Sequence, residues 1–175
     1  MKFLHHLTKI GVAIAIYAIC MFVSLKQCKA QVLDSSFYGW RVYEIQETEL
    51  DYKKCYIVLH PVTSETDHNS RQKPYVMIAR FQKDRVEEVS ISSGYEYKLN
   101  SVVKVLVDDV QFDFTAKRDL AWTSSKSQDL LVINQMLKDG VMKVRSDAAV
   151  GTFAVDEYSL KGITRAYARM REICK

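Results

Sequence analysis

Two histidines and an aspartate are the first candidates for chemistry in this sequence. His60 follows a run of β-forming residues, and Asp67 and His68 are neighbours a few positions later. Imidazole and carboxylate groups are common zinc ligands and common partners in acid–base catalysis. Residues 62–73, however, contain a single apolar residue, which is typical of an exposed loop. We therefore expect these three residues to be solvated loop residues. The alternative is a periplasmic enzyme or metal-binding protein that uses His60, Asp67 and His68.

The remaining reactive residues favour no catalytic mechanism. Cys55 is a candidate nucleophile, but a nucleophilic thiol has to stay reduced, and no cysteine-hydrolase signature surrounds it. Asp108 and Asp109 lie between two β-forming runs, so a hairpin turn explains this acidic pair better than a calcium site. The sequence has no Gly-x-Ser-x-Gly elbow, no glycine-rich phosphate loop and no Cys-x-x-Cys pair. We predict no catalytic residue, no cofactor and no metal.

The first thirty residues are typical of an export signal. Two lysines precede residues 10–25, which carry no charge, and Cys28 and Ala30 form a small-x-small cleavage pattern. We predict a signal peptide at 1–30 that is cleaved after Ala30. The uncharged run of 16 residues is almost as long as the roughly 17–25 residues of a membrane-spanning helix. An uncleaved N-terminal helix that anchors an accessory protein in the membrane is therefore the alternative.

Removal of this segment changes the charge and the cysteine content. The full chain has 25 basic and 21 acidic residues, and residues 1–30 contain four lysines and no acidic residue. The mature chain is therefore neutral, so it lacks the basic excess that general binding of nucleic acid requires. Cys55 and Cys174 remain, and an even pair in an exported protein favours a disulfide. Two separate buried thiols are the alternative.

The mature chain is predicted to form one β-rich domain at 38–175, after a short polar lead-in at 31–37. Short runs of β-branched and aromatic residues recur along it with mostly short links, and strands do not alternate regularly with helices. We predict a mainly β fold, a β-sandwich or partly open barrel of about eight or nine strands. The predicted strands cover residues 40–45, 55–59, 75–81, 86–91, 102–107, 110–114, 141–145 and 152–158.

Two helices are predicted to pack on this fold, at about 126–138 and 162–173. The first is capped by Ser124 or Ser125 and is followed by Gly140 at the position that favours glycine after a helix. On the second, three cations recur at every fourth position and share one face: Lys161, Arg165 and Arg169. Such a face suits an anionic partner. A solvated outer face, favoured by cations near a helix C-terminus, is the alternative.

Tyrosines are numerous, and many of them fall in the first half of the mature chain. Tyrosine suits half-buried strand positions and binding surfaces alike, and we expect most of these residues to be packing. They include Tyr38, Tyr43, Tyr52, Tyr56, Tyr95 and Tyr97.

Several short motifs resemble those of the invasion-associated locus B (IalB) family of exported bacterial proteins. A signal peptide is followed by Trp-Arg-Val at 40–42 in the first predicted strand and by Cys-Tyr-Ile at 55–57 in the second. Further along, the run that ends in Leu-Lys-Asp-Gly at 130–140 precedes a strand. The segment at 158–166 is similar to the family's closing Leu-x-Gly-aromatic-x-x-Ala. The resemblance covers about residues 38–173.

The sequence departs from the family pattern at two places. Many members carry a further cysteine pair just before the middle helix, whereas residues 117–125 contain no cysteine. Ile163 stands where the family usually has an aromatic residue. The family's disulfide layout is therefore not carried over to this chain.

The resemblance implies a protein of the periplasm or cell surface of a Gram-negative bacterium, linked in some members to entry into host cells. It implies no catalytic residue and no established ligand. We therefore expect an exported, non-enzymatic protein with an unknown protein or cell-surface partner and no nucleic-acid partner. Membrane contact is expected only through the N-terminal segment, if that segment is uncleaved.

Overall fold

The computed structural model describes residues 31–47 and 52–175. The predicted signal peptide and the alternative membrane anchor both lie outside the described residues. Within them the chain forms eleven strands and two helices, in the order β1 (Gln31–Phe37), β2 (Trp40–Glu47), β3 (Tyr52–Leu59), β4 (Thr63–Thr66), β5 (Tyr75–Phe81), β6 (Glu87–Ser92), β7 (Val102–Val107), β8 (Val110–Lys117), β9 (Leu120–Trp122), α1 (Lys126–Met136), β10 (Val141–Asp147), β11 (Phe153–Ser159) and α2 (Ile163–Ile173).

All of these strands belong to one antiparallel sheet. Its order is β1-β2-β3-β5-β6-β9-β8-β7-β10-β11-β4, so β1 and β4 form its two edges in the described part of the chain. β3 and β4 are consecutive in the chain but far apart in this order, because the segment after β3 crosses over to pair with β11. The prediction of a mainly β fold with two helices is confirmed, and the sheet does not close on itself.

The strands β1, β4 and β9 have no counterpart in the sequence prediction. β1 occupies residues 31–37, where a lead-in was expected, and it pairs with β2 along its length. β4 lies within the expected exposed loop at 62–73; its four side chains are exposed, and backbone pairing with β11 holds it. Strands of this kind leave little hydrophobic pattern, because the side chains of an edge strand need not be buried.

The sheet buries one of its faces in a single core. Along β7 and β10 the side chains alternate strictly between exposed and buried up to the last residue of β10, as expected for strands with one wet face. The largest fully buried side chains are Trp40, Phe114 and Tyr158, which come from β2, β8 and β11. Side chains of both helices join the same core. The core therefore unites both halves of the sheet with the helices.

α1 begins where predicted and ends about two residues earlier. The Ser125 hydroxyl accepts a hydrogen bond from the Gln128 amide and so caps the first turn. Gly140 does not take the left-handed conformation after the helix; Asp139 takes it, with φ 69°. A side chain at position 140 would displace the Asp108 carboxylate, which accepts a hydrogen bond from the Val141 amide, and this favours glycine there.

α2 packs its apolar stripe against β1, β2 and β3. Ile163, Ala166 and Met170 are fully buried on this stripe. Directly after the helix, Cys174 meets Cys55 of β3, and their Cα atoms lie 5.9 Å apart. The predicted cysteine pair is therefore confirmed, since the two residues lie at the distance of a disulfide. The pair connects the end of the last helix to the sheet. Neither helix has the length and hydrophobicity that crossing a bilayer requires.

Candidate functional site

A cluster of tyrosines lies on the face of the sheet opposite the core. Side chains alternate along β2, β3 and β5, so Val42, Ile57 and Ile78 enter the core while their chain neighbours point outward. The outward side chains line a shallow depression of about 350 Å³. We call this surface the tyrosine face and define it by Arg41, Tyr43, Lys54, Tyr56, Tyr75 and Met77.

Strand pairing fixes the arrangement of side chains on the tyrosine face. Tyr43 of β2 lies opposite Tyr56 of β3, with ring centroids 5.1 Å apart and ring planes 19° apart. Arg41 lies opposite Val58, which lies opposite Met77 of β5. Sites built on strands hold their side chains more precisely than sites on loops. The tyrosine face is therefore a preorganised surface.

Burial raises the pKa of two phenol groups of the tyrosine face, those of Tyr56 and Tyr75. It raises the pKa of Tyr56 to about 12, with smaller contributions from Tyr43 and Tyr75. The pKa of Tyr75 is also raised, first by burial and then by the negative charge of Asp119. At neutral pH both of these phenols are therefore protonated, and a phenol hydroxyl can donate and accept hydrogen bonds next to an apolar ring.

His60 lies at the margin of the tyrosine face. Its Nδ1 lies 2.7 Å from the carbonyl oxygen of Pro74. Because a carbonyl oxygen only accepts hydrogen bonds, Nδ1 is the donor. In the neutral ring the other nitrogen, Nε2, is then a hydrogen-bond acceptor.

A second depression of about 490 Å³ adjoins the first and shares Lys54 and Met77 with it. Met77 lies opposite Ser90 of β6, and Ser90 lies opposite Trp122 of β9. Trp122 is 39% exposed, which is high for such a large apolar side chain. The outward surface therefore carries aromatic residues on four of five neighbouring strands, from Tyr43 of β2 to Trp122 of β9, and β6 contributes none.

The candidate cluster of His60, Asp67 and His68 is not brought together. Asp67 accepts a hydrogen bond from the Phe153 amide, and the His68 ring stacks on Tyr95 with centroids 5.0 Å apart. No group of three or more His, Cys, Asp or Glu side chains within 31–47 and 52–175 is placed to hold a metal ion. Each of the three residues thus has a separate contact of its own.

The predicted cationic face makes contacts within the molecule, and only Arg165 and Arg169 of it lie on α2, because Lys161 precedes the helix. Lys161 and Arg165 lie over the aromatic rings of Tyr38 and Phe37, at 4.7 and 4.8 Å from the ring centroids. Arg169 donates two hydrogen bonds to the Asp34 carboxylate of β1, at 2.8 and 2.9 Å. These contacts dock α2 against the edge strand. A role of the same cations toward an anionic partner stays a prediction.

A buried ion pair lies near the β4 edge of the sheet, between β11 and the segment that precedes β5. Asp156 of β11 is fully buried, and Nη2 of Arg71 lies 2.7 Å from its Oδ1. Ser64 donates a hydrogen bond to the same carboxylate, and Arg71 also donates to the Ser93 carbonyl. Arg71 and Ser64 both come from the chain between β3 and β5. The pair therefore clamps this crossover segment onto the sheet.

A second buried carboxylate lies beside the disulfide. Glu87 accepts hydrogen bonds from Arg80 and from the Tyr167 hydroxyl, both at 2.5 Å. The Nε of Arg80 also donates to the carbonyl of Cys174, at 3.4 Å. Burial raises the pKa of Tyr167 to about 12, and the hydrogen bond and charge of Glu87 add to the effect. This cluster links β5, β6 and α2 and has a structural role.

The tyrosine face was not predicted from the sequence, although a signal for it is present. Arg41, Tyr43 and Ile45 alternate with Val42 and Glu44 along one strand, which is a period of two with large side chains on both faces. Tyrosines at such positions fit a packed interior as well as a binding surface. The strand order, which decides which residues become neighbours, was needed to tell the two apart.

Comparison with known proteins gives no significant match to a family model, a curated protein or a solved structure. Over residues 31–47 and 52–175 the fold is that of a mainly β domain with one open antiparallel sheet and two helices. The resemblance of the motifs to the IalB family stays a prediction.

Proposed function

We propose that this chain is an exported, non-enzymatic protein of the periplasm or cell surface that binds a partner through the tyrosine face. Its role, in line with the family resemblance, is to contribute to the entry of the bacterium into host cells. The partner is a protein or another component of a cell surface.

The observation that carries this proposal is the stacked pair of Tyr43 and Tyr56 on an outward sheet face. α2 packs on the core side of β1, β2 and β3, opposite the tyrosine face. Tyr, Trp, Met and Arg are enriched where proteins bind partners, and these residue types meet here. A rigid aromatic surface of this kind favours binding over a purely structural role.

Contacts of the candidate reactive residues support binding rather than catalysis. Cys55 is paired with Cys174, so its thiol is not a nucleophile. His60, Asp67 and His68 each have a separate hydrogen-bond or stacking partner, and they form no metal-binding cluster within the described residues. The cysteine pair supports export as well, because disulfides persist in oxidising compartments.

Deletion and complementation of the gene test the proposed role. We expect the deletion strain to enter host cells less efficiently, and wild-type protein to restore entry. Tyr43→Ala should fail to restore it, whereas Tyr38→Ala, which removes a 66% exposed tyrosine outside the tyrosine face, should restore it. Full rescue by Tyr43→Ala contradicts a role for the face, and normal entry of the deletion strain contradicts a role in invasion.

Export is tested by fractionating cells and sequencing the N-terminus of the native protein. We expect protein that begins at Gln31, lies outside the cytoplasm and has no free thiol. A cytoplasmic protein with reduced Cys55 and Cys174 contradicts export. A protein that keeps residues 1–30 and stays with the membrane supports the anchored alternative.

A further inference from the structure

We propose that the tyrosine face binds an acidic saccharide of a cell surface, a hydroxyl-rich sugar that carries a carboxylate. This inference rests on the proposed function, because it names the ligand class of the same face. It follows from three properties of the face: flat apolar rings, side-chain hydrogen-bonding groups and two cationic side chains.

The flat rings suit the apolar side of a sugar. A pyranose ring presents C–H groups on its faces and hydroxyl groups around its rim. Tyr43 and Tyr75 are partly exposed and offer apolar rings with hydroxyl groups at their tips, whereas Tyr56 is only 9% exposed and supports the Tyr43 ring by stacking on it. The depression of about 350 Å³ is at the small end of the range of ligand pockets. A short stretch of one to a few sugar rings therefore fits it.

The hydrogen-bonding groups of the face belong to side chains, which favours a saccharide over an extended peptide. A peptide commonly binds a sheet by adding a strand to a free edge. β2, β3 and β5 are interior strands, each paired with neighbours on both sides. What remains for a ligand are the phenol hydroxyls, the Arg41 guanidinium, the Lys54 ammonium and Nε2 of His60. Sugar hydroxyls match such donors and acceptors.

The charge of the face favours an acidic sugar over a neutral one. Among the described residues that line the depression, Arg41 and Lys54 are cationic and none carries a carboxylate. Arg41 is exposed on β2. Guanidinium–carboxylate pairs form short, charge-assisted hydrogen bonds that are about twice as strong as neutral ones. A sugar carboxylate beside Arg41 would complement this charge.

Calorimetric titration of the mature protein with defined sugars tests this proposal. The probes are sialyllactose and a hyaluronan tetrasaccharide, with lactose as the neutral control. We expect at least one acidic probe to bind, and lactose to bind about tenfold more weakly or not at all, since one charge-assisted hydrogen bond is worth about that factor. Added salt should weaken the binding of the acidic probe.

Two pairs of matched variants locate the site. Arg41→Gln and Tyr43→Ala should each weaken binding of the acidic probe about tenfold. Arg145→Gln and Tyr38→Ala, which remove an exposed cation and an exposed tyrosine elsewhere, should leave it unchanged. Absence of binding by both acidic probes overturns the proposal, as does equal binding of lactose. Equal loss in Arg41→Gln and Arg145→Gln overturns it as well.

Binding of the protein to host cells separates failure of this inference from failure of the proposed function. If Tyr43→Ala abolishes cell binding but enzymatic removal of sialic acid and uronate-containing glycans does not reduce it, the partner is not an acidic saccharide and the proposed function stands. If the wild-type protein does not bind cells at all, both are overturned.

Discussion

Tyr43 and Tyr56 lie directly opposite each other on neighbouring strands, and their rings stack with centroids 5.1 Å apart. A cross-strand aromatic pair contributes roughly 0.2–1 kcal/mol to the stability of a sheet. That contribution is small beside the loss of a buried core residue, which costs about 2–5 kcal/mol. Stacking of the pair therefore adds little to the fold, which is compatible with the binding role that we propose for the tyrosine face.

Tyr43→Ala should lower the free energy of unfolding by no more than about 1 kcal/mol, because Tyr43 is only half-buried and lies outside the core. Urea unfolding followed by circular dichroism measures the change. Ile57→Ala on the adjoining strand is the control, since Ile57 is fully buried and its truncation should cost about 2–5 kcal/mol. If the two variants lose equal stability, Tyr43 is a structural residue.

Replacing both cysteines, Cys55→Ser with Cys174→Ser, should destabilise the protein by about 2–5 kcal/mol. The two residues are separated by 119 positions, so the bond restricts a large part of the unfolded chain. Denaturant unfolding with and without reductant measures the effect. Reductant should destabilise the wild type and leave the double variant unchanged. A wild type that is insensitive to reductant under unfolding conditions would show that the bond does not form.

Asp156→Asn should destabilise the protein by about 3–5 kcal/mol, because it leaves the Arg71 guanidinium largely buried without its counter-charge. Glu157→Gln is the matched control on the next residue. Glu157 forms an exposed ion pair with Lys143 at 3.3 Å, and its loss should cost less than about 1 kcal/mol. Thermal unfolding of both variants provides the comparison, and similar melting temperatures would refute the clamp.

Edge strands show why the fold was only partly predictable from the sequence. The buried strands and both helices show hydrophobic periodicity in the sequence, so a mainly β fold with two helices was predicted correctly. β1 and β4 show little such periodicity, since all of their side chains are exposed or partly exposed. Their existence depends on pairing with β2 and β11, and these long-range contacts are not encoded in the pattern of either segment.

The candidate site was less predictable for the same reason. The cysteine pair could be predicted from the number of cysteines, because only two remain after residue 30. His60, Asp67 and His68 are close in sequence, but pairing of β4 with β11 and the contact of His68 with Tyr95 take them to separate places. The tyrosine face depends instead on the pairing of β2, β3 and β5.

Titration of Tyr167 should depend on Glu87. The pKa of Tyr167 in the fold, about 12, exceeds its usual value of 10.0. The protonated Tyr167 phenol therefore stabilises the fold fully below about pH 10, and this stabilisation is lost as the pH rises to about 12. Glu87→Gln should lower this pKa, because it removes a negative charge next to the phenol, while burial keeps the pKa above its usual value.

Ultraviolet absorbance of tyrosinate measures this titration. Tyr167→Phe identifies the contribution of Tyr167, since Tyr56 titrates in the same range. The expected outcome is loss of a late-titrating group in Tyr167→Phe and an earlier titration of that group in Glu87→Gln. A later titration in Glu87→Gln would show that the carboxylate does not act on the phenol as described.

The most direct test of the central claim, that the tyrosine face is a binding surface, is binding of purified, oxidised protein to cultured host cells. Wild-type protein, Tyr43→Ala and Tyr38→Ala are compared at equal concentration after each has been shown to be folded. The account predicts saturable binding by the wild type and by Tyr38→Ala, with binding by Tyr43→Ala reduced about tenfold. Equal binding by all three proteins would contradict it.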